Sequence, residues 1–192
     1  VLCTALVDMY AKGGMVEKAR EVFDKLPERD IVCWNALIFG YAQYGLLDEA
    51  SNCLRQMNDE AIAPDAVTFA CIVRACGNAE SLKIGERIHD EVHKRGLLEK
   101  DIVLNTTLVD MYIKCGVLKK AREVFGELPV RDVVAWSSMI RGCGTNHEVN
   151  LAIYLFEAMQ RDGVKPNAIT FTCLLTACCH GRLITKGQDY FR

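Results

Sequence analysis

The sequence predicts an all-α fold in which paired helices repeat and stack as an α-solenoid. Three observations lead there. The chain repeats itself at a shift of 102 residues, a shorter unit of 31 to 36 residues lies inside that period, and each unit reads as two helices with one apolar face apiece.

The long period is visible in the residues. Thr4-Ala5-Leu6-Val7-Asp8-Met9-Tyr10 returns as Thr106-Thr107-Leu108-Val109-Asp110-Met111-Tyr112, and Ala19-Arg20-Glu21-Val22-Phe23 returns as Ala121-Arg122-Glu123-Val124-Phe125. The same shift carries Trp34 to Trp136, Pro64 to Pro166 and Thr68-Phe69 to Thr170-Phe171. The shorter period emerges when the segments that open the first helices are aligned. These are Ile31-Val32-Cys33-Trp34-Asn35, Ala66-Val67-Thr68-Phe69-Ala70, Ile102-Val103-Leu104-Asn105-Thr106, Val133-Val134-Ala135-Trp136-Ser137 and Ala168-Ile169-Thr170-Phe171-Thr172. The units then run 31–65, 66–101, 102–132 and 133–167, with lengths of 35, 36, 31 and 35 residues; a truncated unit, 1–30, precedes them and another, 168–192, comes after.

Within a unit each element has its own signal. In the first complete one, Trp34, Leu37, Ile38 and Tyr41 share one helical face. Gly45 breaks that pattern and supplies the turn. Leu47, Ala50, Leu54 and Met57 form the stripe of the second helix, and Pro64 closes the unit because the residue before a proline avoids helical angles. One position in the second helix is small throughout: Ala19, Ala50, Gly85, Ala121, Ala152 and Gly187. Neither helix buries its stripe alone, so neighbouring units must stack. Two substitutions weaken the punctuation. Ala61 stands where Gly96 and Gly163 close the second helix, and His147 stands where Gly14, Gly45 and Gly116 make the inner turn.

Composition bounds what such an array does. A chain of 192 residues, 51% hydrophobic and 25% charged, folds rather than staying disordered. Its net charge of −2 argues against a general polyanion binder held by counterion release, though not against a reader of bases that uses a few hydrogen bonds. No apolar run is long enough for a membrane span, and no leader pattern opens the chain. Both ends fall inside the repeat pattern, so the chain reads as part of a longer array. The ten cysteines have no C-x-x-C spacing and fall singly along the helices, as small apolar fillers do; a metal site or cofactor is not expected.

Two families have helix-pair repeats of about this length. The A-x3-F pairs Ala19/Phe23, Ala121/Phe125 and Ala152/Phe156 fit the tetratricopeptide repeat, which binds proteins. The recurring lengths of 31, 35 and 36 do not, because that repeat has a constant period. They resemble the short, standard and long motifs of plant-type PLS pentatricopeptide repeat (PPR) proteins. Leu108-Val109-Asp110-Met111-Tyr112-Ile113-Lys114-Cys115-Gly116 is similar to the short motif, Ala75-Cys76 with Gly85 and Ile88-His89 to the long one, and Val164-Lys165-Pro166-Asn167 to the end of the standard one. The resemblance covers the whole chain and implies a right-handed α-solenoid of about six motifs. Those motifs are short (1–30), standard (31–65), long (66–101), short (102–132), standard (133–167) and long (168–192).

The resemblance also implies function. The family binds single-stranded RNA, one base per repeat, read by two or three side chains. Its base-clamping aliphatic position holds Val1, Val32, Val67, Val103, Val134 and Ile169. Its base-reading fifth position holds Thr4, Asn35, Ala70, Thr106, Ser137 and Thr172, and its last position Asp30, Asp65, Asp101, Asp132 and Asn167. By the family's code Thr with Asp reads G, Asn with Asp reads U, and Ser with Asn reads A; Ala70 has no group to offer a base. The implied preference is 5′-GUNGAN-3′, running with the chain. Helix N-capping is a second explanation for Asp30, Asp65 and Asp132, and it is compatible with base reading. Lys12 and Lys114 match the family's phosphate-contacting lysine, whereas Gln43, Asn78, Thr145 and His180 occupy the equivalent sites elsewhere.

By the same resemblance the chain is expected to serve organellar RNA editing or processing, in a mitochondrion or chloroplast, with editing or processing factors as partners. A protein-interaction solenoid is the alternative, as is a subunit lending RNA specificity to a deaminase in trans. Catalysis by this chain is not expected. His89-Asp90-Glu91 matches the H-x-E of zinc deaminases, but no P-C-x-x-C accompanies it. No phosphate-binding G-x-x-x-x-G-K-[ST] loop and no G-x-S-x-G elbow occurs, so neither a small-molecule substrate nor a membrane enters the reading.

Overall fold

The computed structural model describes residues 2–98 and 101–191, and the chain divides into two compact units, one up to Thr107 and one from Leu108 onward. Among the described residues there are twelve helices and no strand. The first unit holds α1 (Leu2–Lys12), α2 (Val16–Asp24), α3 (Ile31–Gln43), α4 (Leu47–Asp59), α5 (Ala66–Asn78), α6 (Leu82–Lys94) and the start of α7 (Ile102–Lys114). The second holds the rest of α7, then α8 (Leu118–Glu127), α9 (Val133–Thr145), α10 (Val149–Arg161), α11 (Ala168–His180) and α12 (Ile184–Phe191). No helix among the described residues is long and apolar enough to cross a membrane.

The pairing obeys the repeat. In the first unit, α1 packs on α2 and on α3, α3 on α4 and α5, and α5 on α6. In the second unit, α9 packs on α8, α10 and α11, and α11 on α12. A first helix such as α3 or α9 is therefore covered by its own partner and by the next first helix. That explains why Trp34, Leu37, Ile38 and Tyr41 are all buried. Successive pairs lock through aromatic contacts. Phe23 meets Trp34 edge-on at 4.5 Å, with the Arg29 guanidinium 4.9 Å above the Phe23 ring. The second unit repeats the device: Phe125 meets Trp136 at 4.9 Å, and Arg131 covers Phe125 while donating to the Phe125 and Gly126 carbonyls. The A-x3-F phenylalanines are thus core residues.

Small residues act in a place the sequence did not single out. Ala19, Ala50, Ala121 and Ala152 are fully buried in the second helices. Close approaches, however, also lie between consecutive first helices. A Cβ on Gly40 of α3 would fall 2.7 Å from the Ala11 Cβ of α1, and one on Gly144 of α9 would fall 2.8 Å from the Ala177 Cβ of α11. At Gly187, in a second helix, the nearest atoms are 3.5 Å away, an ordinary contact.

The two weak punctuation points are real. Ala61 adopts φ +57° and His147 φ +62°, the left-handed region that Gly163 and Gly45 occupy at +77° and +72°. Side chains bear a steric cost there. Glu80 and Arg182 do the same at the inner turns of their pairs. The buried cysteines behave as fillers: burial pushes the thiols of Cys53 and Cys71 up to about 11 and that of Cys143 up to about 12. Among the described residues no cluster of His, Cys, Asp and Glu is placed to hold a metal ion.

This packing sets the stability of three variants. Gly40→Val forces α1 and α3 apart and lowers stability by about 1–3 kcal/mol. Gly126→Ala, where the added Cβ meets nothing within 4 Å, raises it by about 0.5–1 kcal/mol. Urea denaturation of both variants checks the contrast; equal effects would refute the close approach. Ala61→Gly relieves the left-handed strain and raises stability by about 0.5–1 kcal/mol, net of the glycine's entropy cost. A lowered urea midpoint would mean that Ala61 is not strained.

Candidate nucleic-acid interface

The first helices from α3 onward open in the same way. The N-cap is the last residue of the preceding unit, and that side chain accepts a hydrogen bond from the third residue of the helix. Asp30 accepts from the Cys33 backbone N–H at 2.8 Å, Asp65 from Thr68 at 2.8 Å, and Asp101 from Leu104 at 2.8 Å. In the second unit Asp132 accepts from Val134 and Ala135 at 3.0 and 2.8 Å, and Asn167 accepts from Thr170 at 2.9 Å. Each of these caps is made through Oδ1. The second carboxylate oxygen, or the Asn167 Nδ2, takes no part in the cap.

The second residue of each of these helices points away from the core. Val32, Val67, Val103, Val134 and Ile169 are between 55% and 65% exposed, high for β-branched residues in well-packed helices. Val1 lies outside the described residues. More than half of the surface of each of these five aliphatic residues is left uncovered by the fold.

The fifth residues lie beside the caps to different degrees. Asn35 donates from Nδ2 to Asp65 Oδ1 at 3.2 Å and accepts from the Thr68 hydroxyl at 2.6 Å. Ser137 and Thr170 share a hydrogen bond at 2.8 Å, and the Thr170 hydroxyl lies 3.0 Å from Asn167 Oδ1. Thr4 lies 3.1 Å from the Cys33 Sγ, next to the Asp30 cap. In these three places the two predicted reading residues converge on one spot. Ala70 is buried and brings no polar group. Thr106 and Thr172 instead donate to the carbonyls of Ile102 and Ala168 in their own helices, at 2.8 and 2.9 Å. Their hydroxyl oxygens remain acceptors; donation to a ring nitrogen requires the hydroxyl hydrogen to turn.

Concave spaces coincide with these residues. In the first unit an open groove of about 830 Å3 is lined by Thr4, Lys12, Asp30, Val32, Asn35 and Val67, with Phe39 also on its wall. In the second unit a smaller one, about 230 Å3, is lined by Val134, Ser137, Arg141, Asn167 and Ile169. The predicted phosphate lysines are already paired. Lys12 meets Asp8 at 2.7 Å and Lys114 meets Asp110 at 3.1 Å, where Arg141 also binds the same carboxylate at 2.5 Å. Arg74 covers the Phe39 ring at 5.7 Å.

Sequence reasoning missed the third residue of the first helices, which in some repeats links the other two. Thr68 and Thr170 are buried and polar and Cys33 brings a buried thiol, whereas Leu104 and Ala135 are buried and apolar. The signal was present as Asp65-x-x-Thr68 and Asn167-x-x-Thr170, both of which form reciprocal capping boxes.

Comparisons with known proteins agree with this architecture. A model described as the PPR repeat family matches residues 29–78 and 131–180, and one described as PPR repeat matches 1–31 and 106–133. A pentatricopeptide repeat-containing protein of Arabidopsis thaliana is 40% identical over 188 residues, 98% of this chain and 26% of that protein. Another from the same plant, named as mitochondrial, is 39% identical over 189 residues, 98% of this chain and 30% of that protein. The chain thus spans under a third of the length of either relative. Among solved structures, maize PPR10 superposes with a TM-score of 0.81 at 20% identity, over 98% of this chain and 28% of that one. PPR10 in complex with an 18-nt psaJ RNA element superposes with a TM-score of 0.86 at 18% identity, over 99% of this chain and 29% of that one. At that identity the likeness shows the fold, an α-solenoid of stacked helix pairs.

The Asp30 cap carries a pH signature. The Cys33 backbone N–H, then its thiol, hold the Asp30 carboxyl below the ordinary carboxylate range, against a smaller opposing effect of burial. A lowered folded pKa stabilises above the unfolded value and is lost as pH falls through the folded one. Asp30→Ala therefore costs about 1 kcal/mol at neutral pH. The gap from the unsubstituted chain closes as pH falls below about 4, the ordinary carboxylate value. Urea titrations at pH 7 and pH 3 check this, and a gap as large at pH 3 as at pH 7 contradicts it.

Proposed function

Because the chain belongs to the pentatricopeptide repeat family, we propose that it binds single-stranded RNA in sequence-specific fashion, one base per repeat. The observation that carries the reading is the exposed β-branched residue at the second position of the first helices, set beside a polar N-cap. Bases need flat apolar faces to lie against and a directional donor or acceptor at their edge. Val32, Val67, Val103, Val134 and Ile169 supply the first. The uncapped oxygen of Asp30, Asp65 and Asp132 and the Nδ2 of Asn167 supply part of the second. PPR10, whose fold this chain shares, has been crystallised with an RNA element, which supports RNA as the ligand class.

The repeat register proposed is 1–30, 31–65, 66–101, 102–132, 133–167 and 168–192. Reading residues are then Thr4 with Asp30, Asn35 with Asp65, Thr106 with Asp132, Ser137 with Asn167, and Thr172. The clamping set is Val32, Val67, Val103, Val134 and Ile169, with Val1 in the same register. The preferred RNA is 5′-GUNGAN-3′. Uracil suits Asn35 with Asp65 because its N3–H meets a carboxylate that only accepts, while the Asn amide donates to a carbonyl beside it. Backbone attraction contributes little, since Lys12 and Lys114 are committed to neighbouring carboxylates. The biological setting proposed is editing or processing of RNA in a mitochondrion or chloroplast, where processing factors act on the bound transcript. The relatives named as mitochondrial support an organelle.

Binding of the 192-residue chain to 5′-GUAGAA-3′ and to base-swapped hexamers, by fluorescence anisotropy, tests the code. The first RNA binds tighter than one in which the second base is G. Asn35→Thr inverts that order, with each good contact worth a roughly three- to tenfold change in affinity. Equal affinities for all hexamers refute the coding, and an unmoved second base in Asn35→Thr refutes the register.

A further inference from the structure

We propose that Arg74 is a phosphate-binding residue of the third repeat: it grips the RNA backbone, whatever the sequence, at the unit whose fifth residue, Ala70, has nothing to offer a base edge. This rests on the RNA reading above. What sets Arg74 apart is the ninth position of the first helices. Counted from the helix starts, that position holds Phe39 in α3, Arg74 in α5, Asp110 in α7, Arg141 in α9 and Thr176 in α11. In the second unit Arg141 follows an acid, and it donates to the Asp110 carboxylate of the preceding first helix at 2.5 Å. In the first unit Arg74 follows Phe39 instead. Its guanidinium lies 5.7 Å from the centre of that ring. A ring face attracts a cation but carries no net charge to cancel it. Among the described residues Arg74 forms no ion pair. A phosphate that reaches Lys12 or Arg141 must displace a carboxylate, whereas one that reaches Arg74 displaces none.

Placement points the same way. Val67, Cys71 and Arg74 stand at i, i+4 and i+7 on one face of α5. Val67, Cys71 and Phe39 line the larger groove of the first unit. Arg74 is exposed, one helical turn beyond Ala70, with its charge over the Phe39 wall of that groove. The charged residues that line the groove itself are Lys12 against Asp8 and Asp30, so Arg74 offsets the carboxylate in excess. A guanidinium only donates, through a planar fork of N–H groups that matches two oxygens of one phosphate. Base edges differ in their donors and acceptors, whereas the phosphate is the same in every nucleotide. With Ala70 at the reading position, a hold on the backbone is the polar contribution left to this repeat.

The test measures affinity for 5′-GUAGAA-3′, and for the hexamers with each other base at the third position, by fluorescence anisotropy between about 50 and 200 mM KCl. It uses the 192-residue chain and its variants, with far-UV circular dichroism as the fold check. On a single strand one phosphate contact contributes about 0.7 to the slope of log affinity against log salt. Arg74→Gln flattens the slope by about that amount and weakens every hexamer alike, roughly three- to tenfold at low salt. Arg74→Lys keeps the charge and retains the slope. Lys94→Gln removes an exposed cation of α6, outside the groove, and leaves the slope unmoved. If Arg74→Gln is unfolded by circular dichroism, Arg74→Met takes its place in the same comparison. An unchanged slope in Arg74→Gln overturns the proposal and leaves the RNA reading standing. Equal flattening by Lys94→Gln shows diffuse charge only and overturns it too. A loss confined to one base at the third position makes Arg74 a base reader, which also overturns it. A chain that binds none of the hexamers before any substitution overturns the RNA reading, and this inference with it.

Discussion

A two-helix unit of this kind is too small to bury its own apolar surface, and the contact between one pair and the next is what makes the fold possible. The Phe23–Trp34 edge contact is the clearest instance. Phe23 closes a second helix, Trp34 opens the first helix of the next pair, and both are completely buried. Truncating a buried aromatic of this size costs about 3–5 kcal/mol, a large share of what holds an ordinary domain together. The Arg29 guanidinium over Phe23 seals the contact from outside and also binds Glu60 of the following pair at 2.5 Å. Phe125, Trp136 and Arg131 rebuild the same arrangement in the second unit, so the stacking rule is a property of the repeat.

That rule sets the position of everything polar. Consecutive first helices come close enough near their C-terminal ends for Gly40 to rest on Ala11 and Gly144 on Ala177, and near their starts the Asn35–Asp65 and Ser137–Thr170 hydrogen bonds join neighbouring helices. An N-terminus carries unpaired backbone N–H groups, and the chain answers with Asp or Asn caps. Because the cap belongs to the end of one unit and the helix to the next, the fifth residue of the first helix lies within reach of the next unit's cap. Asn35 meeting Asp65 across 30 residues of sequence is a direct consequence. Local helix chemistry, helix spacing and the proposed reading head are thus one arrangement seen at three scales.

Most of the fold was legible because a repeat states its own structure several times. The aligned openers named the first residues of α3, α5, α7, α9 and α11, and the odd residues at Ala61 and His147 marked left-handed positions. What stayed hidden depended on distances between helices. The small positions of the second helices stood out, yet the tighter contacts at Gly40 and Gly144 did not, because each joins residues about 30 positions apart and has no local pattern. The candidate site divides in the same way. Exposure of Val32 or Ile169 decides whether a β-branched residue is packing or surface, and exposure is not written in the sequence. The linking role of Thr68 was half visible as a capping box; the bond to Asn35 needed the fold.

Charge then separates this surface from a generic RNA binder. A basic groove holds nucleic acid by releasing counterions, and its affinity collapses as salt rises. Here Lys12, on the wall of the first groove, pairs with Asp8, and Arg141, on the wall of the second, shares the Asp110 carboxylate with Lys114. A phosphate arriving at these sites must displace a carboxylate already in place, so it gains little. What remains is the side-chain edge at each cap and the aliphatic face beside it. Those interactions are short-ranged and directional, and they discriminate where a charge field does not. With weak backbone attraction, each repeat contributes little affinity by itself, and tight binding requires many repeats acting along one strand. The net charge of −2 is consistent with that division of labour, in which, on the proposed reading, selectivity resides in single pairs such as Asn35 with Asp65 and strength comes from their number.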